Sequence, residues 1–198
     1  PEAVLDFCGG DYGIAGEGEV AIVELLRALE RAGDLAAVPG LVYRQDGCTR
    51  RNPPADTALD DLPRTRSLPD GRRYFDEGGQ AGFETKRGCA MNCIYCVDPV
   101  LNGRRVRLRS PRLVVEELKS LLSQGIDTFH TCDCEFNLPA EHAAAVCREI
   151  IAQGLGDRIK WFAYCSITPF DSELADLFRR AGCAGILVLK RDLVPARG

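Results

Sequence analysis

The chain has 198 residues, a formal net charge of −4, and a composition of 45% apolar and 27% charged residues, which is typical of a globular protein. The small negative charge excludes a general attraction to nucleic acid or to an anionic membrane, and no apolar run approaches the roughly 20 residues of a membrane-spanning helix. Ten cysteines in a chain of this length, without an apolar leader, exclude a small secreted disulfide scaffold, so we expect a cytoplasmic protein.

The first residues predict the end of an α/β unit. A short apolar strand candidate spans residues 11–15, the sequence GEGE follows at 16–19, and a helix begins near Val20 and ends at Ala32-Gly33. Because the chain opens at Pro1 inside this pattern, we expect a fragment of a longer protein.

The GEGE stretch has more than one interpretation from the residues alone. Together with Ala21 it formally fits a dinucleotide fingerprint, in which pyrophosphate binds at a helix N-terminus. Glu17 and Glu19 would place two carboxylates beside that phosphate, and the strand–helix unit that should follow is absent, so NAD is disfavoured. A plain turn that caps a surface helix stays open as an alternative.

A hairpin and a linker come next. Residues 40–51 read as two strands around Asp46-Gly47, a dipeptide typical of two-residue hairpin turns. Residues 52–73 are rich in proline, aspartate and arginine and show no periodicity, which predicts a linker.

Regular alternation of strands and helices begins at Phe83. Strands are predicted at 83–86, 126–131, 159–164 and 185–189, and helices at 111–123, 139–153 and 171–181. The expected N-caps are Ser110 and Asp171, and the residues that end the three helices are Gly125, Gly154 and Gly182. Short apolar strands separated by helices predict a parallel sheet covered by those helices.

Three cysteines follow the first of these strands in the spacing Cx3Cx2C: Cys89, Cys93 and Cys96. Thiolates of this kind hold iron–sulfur clusters, and because a [4Fe–4S] cluster normally takes four, three leave one iron open. A structural zinc site would need four ligands and would have to recruit Cys132 or Cys134. A ferredoxin-type run would need a further cysteine nearby, and chance clustering in a cysteine-rich chain also stays open.

The cysteine loop, with the aromatic Tyr95 before its last cysteine, resembles the signature loop of radical S-adenosylmethionine (SAM) enzymes. The resemblance implies a [4Fe–4S] cluster on the three cysteines, SAM bound to the open iron with Tyr95 beside it, and an electron donor such as flavodoxin or ferredoxin. It also implies an α/β fold, in which parallel strands form a partial barrel. We expect this chain to contain an incomplete barrel, truncated after about four βα units.

Sequence before the cysteines is similar to one class of that superfamily, which carries an upstream cobalamin-binding domain. The similarity covers GEGE at 16–19, GLVYR at 40–44, NPP at 52–54 and DDLP at 60–63. It implies a C-terminal remnant of a Rossmann-like cobalamin-binding domain at 1–40, a hairpin and linker at 41–82, and an incomplete radical SAM core at 83–198. The residues that it places near cobalamin are Gly16, Glu17, Gly18 and Glu19.

Other groups are expected near the cluster, because ligands of parallel sheets bind at the C-terminal ends of the strands. Radical SAM enzymes commonly carry a Gly-Gly-Glu motif after the second strand, and Asp133 and Glu135 stand there as candidates for the SAM amino group. The alternative is that both cap the next helix. After the fourth strand, residues 187–192 depart from the Gly-x-Glu-Ser segment of the family, which leaves the ribose contact without a candidate.

Three further groups have open roles. Tyr164-Cys165-Ser166 after the third strand can line a pocket or pack in the core. Five arginines after the cysteine loop can hold an anion or form a solvated loop: Arg104, Arg105, Arg107, Arg109 and Arg112. His130 and His142 are isolated, and we expect structural roles for them.

The resemblance predicts a [4Fe–4S]- and SAM-dependent radical enzyme, a cobalamin-dependent methyltransferase that acts on a poorly nucleophilic carbon or phosphorus of a small molecule or peptide. The Asp-Pro after the cysteine loop and the Glu-Phe-Asn at 135–137 resemble the tryptophan C-methylating branch. One alternative is a tRNA-modifying enzyme similar to methylthiotransferases. Another is a non-catalytic module that binds an iron–sulfur cluster or zinc.

Overall fold

The computed structural model describes residues 1–55, 57–62 and 71–188. The chain divides into two compact units, Pro1–Leu62 and Pro63–Gly198. The hairpin that we placed in the connecting segment 41–82 therefore lies within the first unit. None of the helices in the described ranges is long and apolar enough to cross a membrane.

The first unit contains an antiparallel sheet in the order β1-β2-β3 with helices around it. Its elements are α1 (Glu2–Cys8), β1 (Tyr12–Ile14), α2 (Glu19–Glu30), β2 (Leu41–Gln45) and β3 (Cys48–Arg51), with 3-10 turns at Leu35–Ala37 and Leu59–Asp61. The predicted strand, helix and hairpin are confirmed, whereas α1 was not predicted. The hairpin turn uses Asp46 at φ 52° and Gly47 at φ 74°, the left-handed conformation that favours this dipeptide.

The core of the first unit forms where α2 packs on the sheet. The buried side chains are Leu25, Val38, Leu41 and Tyr43, with a second cluster of Leu5, Ala15 and Val42. Gly40 is required at the entry to β2, because a Cβ atom there would lie 2.7 Å from the carbonyl oxygen of Ala15.

The second unit contains the predicted βα repeat. Its elements are α3 (Gly71–Asp76), β4 (Ala81–Phe83), β5 (Lys86–Arg87), α4 (Asp98–Leu101), β6 (Arg107–Leu108), α5 (Pro111–Ser123), β7 (Thr128–Thr131), α6 (Ala140–Ala152), β8 (Lys160–Cys165), α7 (Ser172–Arg180) and β9 (Cys183–Val188). Four strands form a parallel sheet in the chain order β4-β7-β8-β9, with helices in each connection. The prediction of a parallel sheet covered by helices is confirmed.

One face of this sheet packs against the helices. Phe129, Trp161 and Cys165 point to that face and are fully buried with Leu118 of α5 and Val146 of α6. The Trp161 indole N–H donates to the Ala181 carbonyl over 2.8 Å, so the polar atom of this large side chain is satisfied. Burial of these apolar groups is the main force that holds the unit together.

The opposite face carries a row of aromatic side chains. His130 pairs with Phe162, and Tyr164 is two residues further along the same strand, so all three point away from the helices. The rings of His130 and Tyr164 lie 5.1 Å apart, and Tyr164 remains 36% exposed. Gly185, opposite Phe162, has no room for a Cβ atom, which would lie 2.9 Å from the Phe162 ring.

A two-stranded antiparallel sheet, β5-β6, was not predicted. We expected one strand over 83–86, but the chain leaves the parallel sheet after Phe83 and pairs Lys86 with Leu108 and Arg87 with Arg107. This pairing joins the two ends of the segment 88–106, which contains the three cysteines. The cysteine segment is therefore a closed loop at the C-terminal edge of the parallel sheet.

Candidate metal and cofactor site

The entry to the cysteine loop is fixed by a close backbone approach. Gly88 has φ +94°, and a Cβ atom there would lie 2.3 Å from the carbonyl oxygen of Arg105. The next residue, Cys89, donates its backbone N–H to the Gly103 carbonyl over 3.0 Å. A residue with a side chain cannot take the place of Gly88 without moving the opposite side of the loop.

The three cysteines of the motif are free thiols on this loop. Cys89 and Cys93 are half-buried, Cys96 is exposed, and the Cys96 N–H donates to the Cys93 carbonyl over 3.1 Å. Loss of surrounding water raises the pKa of the Tyr95 phenol, and its neighbours Cys93, Cys96 and Glu135 raise it further. The predicted residue Tyr95 is therefore a neighbour of Cys93 and Cys96, and Glu135 lies near Tyr95.

Asp133 connects the end of β7 to the start of the cysteine loop. Its carboxylate accepts hydrogen bonds from the Thr85 N–H at 2.8 Å, the Thr85 hydroxyl at 2.5 Å and the Lys86 N–H at 3.2 Å. Burial raises the pKa of Asp133, and the Lys86 charge and these hydrogen bonds oppose that shift. The alternative that Asp133 caps the next helix does not occur, since the N-cap of α6 is Pro139.

Glu135 lies near Tyr95 of the cysteine loop and near Cys165 at the end of β8. It is 8% exposed, and its charge acts on both groups. Burial is the main cause that raises the pKa of the Cys165 thiol to about 12, and Glu135 adds to it. This thiol is a buried apolar group rather than a reactive one.

Sequence reasoning missed the contacts that hold the loops together. Asn137 is fully buried, and its amide donates to the carbonyls of Ser166 and Pro169 and accepts from the Ser166 N–H. His142 reaches from α6 to the Thr85 carbonyl over 3.0 Å, as its predicted structural role requires. No spacing in the sequence indicates these contacts, because their partners lie 29 to 57 residues away.

The arginine cluster divides into residues with different surroundings. Arg109 forms an ion pair with Glu117 at 2.8 Å, and the two side chains are 0% and 2% exposed. Arg112 pairs with Glu116 on the surface of α5, and Arg104 contacts the side chain of Asn92. The Arg109 guanidinium therefore anchors β6 to α5 and is not an open anion site.

The comparisons with known proteins decide the family. A family model described as the Radical SAM superfamily matches residues 83–188, which include the cysteine loop and the parallel sheet from the last residue of β4 to the end of β9. The chain belongs to the radical SAM superfamily. This confirms the family that we inferred from Cys89, Cys93, Cys96 and Tyr95.

Several radical SAM relatives match nearly the whole chain. Tryptophan 2-C-methyltransferase of Streptomyces laurentii is 32% identical, and the match covers 94% of this chain and 41% of that protein. The radical SAM methyltransferase TsrM of Kitasatospora setae, solved with cobalamin and a [4Fe–4S] cluster bound, superposes with a TM-score of 0.85 at 35% identity. That match covers 95% of this chain and 40% of TsrM, and a second TsrM structure holds tryptophan and the SAM analogue aza-SAM.

The match to a methylthiotransferase is shorter. A putative methylthiotransferase of Methanocaldococcus jannaschii is 30% identical over 63% of this chain. The chain spans about two fifths of the length of the first relatives it matches. The superposition on TsrM confirms the predicted α/β fold of a partial radical SAM barrel with a preceding unit.

The remaining predicted residues lie away from the cysteine loop, beside it, or outside the residues that the structure describes. GEGE at 16–19 forms the turn before α2 in the first unit, with Gly16 at φ +100° and Gly18 as the N-cap. Residues 187–192 are the segment that differs from the Gly-x-Glu-Ser pattern of the family. Leu187 and Val188 of this segment end β9, and residues 189–192 lie outside the described residues. Cys132 is exposed on the sheet face that carries the aromatic row, whereas Cys134 lies beside Cys89 and Asp98.

Proposed function

We propose that this chain is part of an enzyme that holds a [4Fe–4S] cluster, binds SAM at the open iron and methylates a small molecule with the help of cobalamin. The observation that carries the proposal is the closed loop with three free thiols at the C-terminal edge of a parallel radical SAM sheet. Ligands of βα sheets bind at this edge because the connecting loops gather there. The match to TsrM along nearly the whole chain supports the methyltransferase class.

The chemistry of the donor groups fits an iron–sulfur cluster. Cysteine thiolates are the usual ligands of such clusters, and Cys89, Cys93 and Cys96 are neither in disulfides nor fully buried. Gly88 and the β5-β6 pairing fix the ends of the loop that carries them. When bound, the cluster would supply the electron that cleaves SAM, which requires a reductant such as flavodoxin or ferredoxin.

The acids predicted to bind the SAM amino group have different roles in this proposal. Asp133 already accepts three hydrogen bonds from Thr85 and Lys86, so we propose that it positions the loop. Glu135 lies near Tyr95, which is itself a neighbour of Cys93 and Cys96, so we propose that Glu135 pairs with the SAM ammonium. Tyr95 would line the same site.

Cobalamin is proposed to act next to the first unit's GEGE turn. Gly16, Glu17, Gly18 and Glu19 stand at the N-terminus of α2, where backbone N–H groups point out of the helix. The cobalamin-bound solved relative supports this cofactor. When bound, cobalamin would carry the methyl group from SAM to the substrate, and the protein would bind and aim both.

We further propose that the substrate is a planar aromatic small molecule. The row of His130, Phe162 and Tyr164 leaves the rings of one sheet face turned away from the helices. Offset or tilted stacking on such rings favours a flat aromatic ligand. This agrees with the tryptophan bound to TsrM, whereas nothing in the row favours a phosphonate or a peptide backbone.

The test is methyl transfer by the whole protein. The protein is purified anaerobically, loaded with iron, sulfide and cobalamin, and given SAM with a 13C-labelled methyl group and a panel of indoles and other aromatic compounds. We expect a product heavier by one labelled methyl group, formed by the wild type and absent with Cys93→Ala. Equal product with Cys93→Ala would contradict the proposal, and so would a panel member thiomethylated instead of methylated.

A further inference from the structure

We propose that Cys89, Asp98 and Cys134 bind a single thiophilic divalent cation of the Zn2+ type when the protein carries no iron–sulfur cluster. The two thiols and a carboxylate oxygen of Asp98 all lie within 4.8 Å of one another, and among the described residues they are the one such group of three. Only Cys89 belongs to the Cx3Cx2C motif. Asp98 and Cys134 have no place in the function proposed above.

The separations suit one ion. Zinc binds thiolate sulfur at about 2.3 Å and carboxylate oxygen at about 2.0–2.2 Å, so tetrahedral ligands lie about 3.5–3.8 Å apart. Ligand atoms within 4.8 Å of one another reach this spacing by shifts of about an ångström, well within side-chain rotation. Three protein ligands leave a fourth position for water, as in open zinc sites.

Two of the three ligands are held in place by contacts outside the group. The Cys89 backbone is tied to Gly103, and Asp98 accepts a 2.8 Å hydrogen bond on Oδ1 from the Asn102 amide. That bond turns the other oxygen, Oδ2, toward the Cys134 thiol, which contacts it. Outer-shell hydrogen bonds of this kind fix metal-binding carboxylates in the correct orientation.

Three separate parts of the unit supply the ligands. Cys89 follows β5, Asp98 begins α4, and Cys134 follows β7 next to Asp133, whose hydrogen bonds to Thr85 and Lys86 fix the distance between the two loops. Thiolate and carboxylate ligands suit Zn2+ or Fe2+ and not Mg2+. One cation would therefore link both loops in the cluster-free protein.

Sharing of Cys89 makes the cation and the cluster alternatives. While the cation is bound, Cys89 cannot ligate the cluster, so zinc would slow cluster assembly. Removal of Cys134 weakens the cation site and leaves the Cx3Cx2C motif intact. Cys134→Ser therefore tests the cation site without disturbing the proposed cluster site. Only the predicted competition between the cation and the cluster rests on the proposed function.

The test is zinc binding by the reduced, chelator-treated, cluster-free protein. Competition with a chromophoric chelator measures affinity, and Co2+ gives a thiolate-to-metal charge-transfer band as a second readout. We expect one ion per chain in the wild type, at least about 10-fold weaker binding in Cys134→Ser and in Asp98→Asn, and unchanged binding in the control Cys132→Ser. Iron uptake in the presence of zinc should be slowed in the wild type and less so in Cys134→Ser.

Equal zinc affinity of the wild type and Cys134→Ser would overturn the inference. So would loss of binding in Cys93→Ser, because that pattern would place the ion on the motif cysteines. Cluster formation and its response to SAM are measured on the same preparations without zinc. If the proposed function is wrong and the zinc inference is right, the protein will bind zinc at Cys134 and assemble no cluster.

Discussion

Asp133 holds the cysteine loop at a fixed distance from the sheet. Its carboxylate is buried and accepts from Thr85 and Lys86, so the loop begins where β7 ends. We predict that Asp133→Ala lowers the free energy of unfolding by about 2–4 kcal/mol, because two buried backbone N–H groups lose their acceptor.

Asp133→Asn is the matched control for that change. Its amide oxygen can still accept from both N–H groups, while the Thr85 hydroxyl can turn and accept from the new NH2 group. Urea unfolding should therefore show a smaller loss for Asn than for Ala. Equal losses would mean that the charge beside Lys86, and not the hydrogen bonds, sets the stability.

His142 makes the stability depend on pH. Burial lowers the pKa of His142 in the folded protein, opposed by its hydrogen bond to Thr85 and by the Asp133 charge. The unfolded chain therefore takes up this proton first as the pH falls below about 6.5. We predict that stability decreases from pH 7.5 to 5.5 and that His142→Gln, which can still donate to the Thr85 carbonyl, reduces this decrease in urea unfolding. A decrease of the same size in the variant would contradict the assignment.

Single residues also show how far sequence reasoning extends. The spacing of the motif indicated the cysteines and Tyr95 as candidates, and the position after the second predicted strand indicated the two acids. The sequence could not divide the acids into Asp133 as a positioning group and Glu135 as a ligand candidate, because Thr85 is 48 residues from Asp133. The Asn137 contacts with Ser166 escaped for the same reason.

The cysteine loop is the element on which the site depends. Gly88 has a positive φ and no room for a Cβ atom beside Arg105, whereas Gly103 has φ +82° with nothing within 4 Å. We predict that Gly88→Ala abolishes iron uptake, and that Gly103→Ala costs only the backbone strain of about 1–2 kcal/mol and keeps iron uptake. Iron and sulfide analysis after reconstitution, with circular dichroism to verify folding, separates the two. Normal iron content in Gly88→Ala would contradict this account of the loop.

The attachment of β6 to α5 rests on a buried ion pair. Removal of one partner leaves the other charge buried, so Arg109→Met should destabilise the protein by about 3–5 kcal/mol. The double variant Arg109→Met with Glu117→Leu should recover most of that loss, because neither charge then remains. Chemical unfolding of the single and double variants measures this, and a double variant as unstable as the single one would be evidence against it.

Elements differed in how well the sequence predicted them. The helices α5, α6 and α7 were predicted within a residue or two, because caps and glycine stops mark their ends. The strands β5 and β6 have two residues each, too few for any periodicity, and they form only because residues 86–87 and 107–108 meet in the fold. The single strand expected over 83–86 was wrong for this reason, because only Phe83 belongs to β4 and Lys86 belongs to β5.

At the scale of the molecule, the parallel order β4-β7-β8-β9 brings the loops after successive strands to one edge. Cys89, Glu135 and Ser166 come to that edge in the loops after three different strands. The βα repeat in the sequence predicted this arrangement, but it could not give the distances between the side chains. The aromatic face and the Cys89–Asp98–Cys134 group depend on register and loop closure, so the sequence alone could not reveal them.

The central claim is that the three motif cysteines hold a cluster with one iron open to SAM. Its most direct test is the EPR spectrum of the reduced, anaerobically reconstituted protein with and without SAM. We predict a [4Fe–4S] signal that changes when SAM is added and that is absent, together with the iron, when Cys89, Cys93 and Cys96 are replaced by alanine. An EPR signal that SAM leaves unchanged, or a wild-type protein that binds zinc and no iron, would contradict the account.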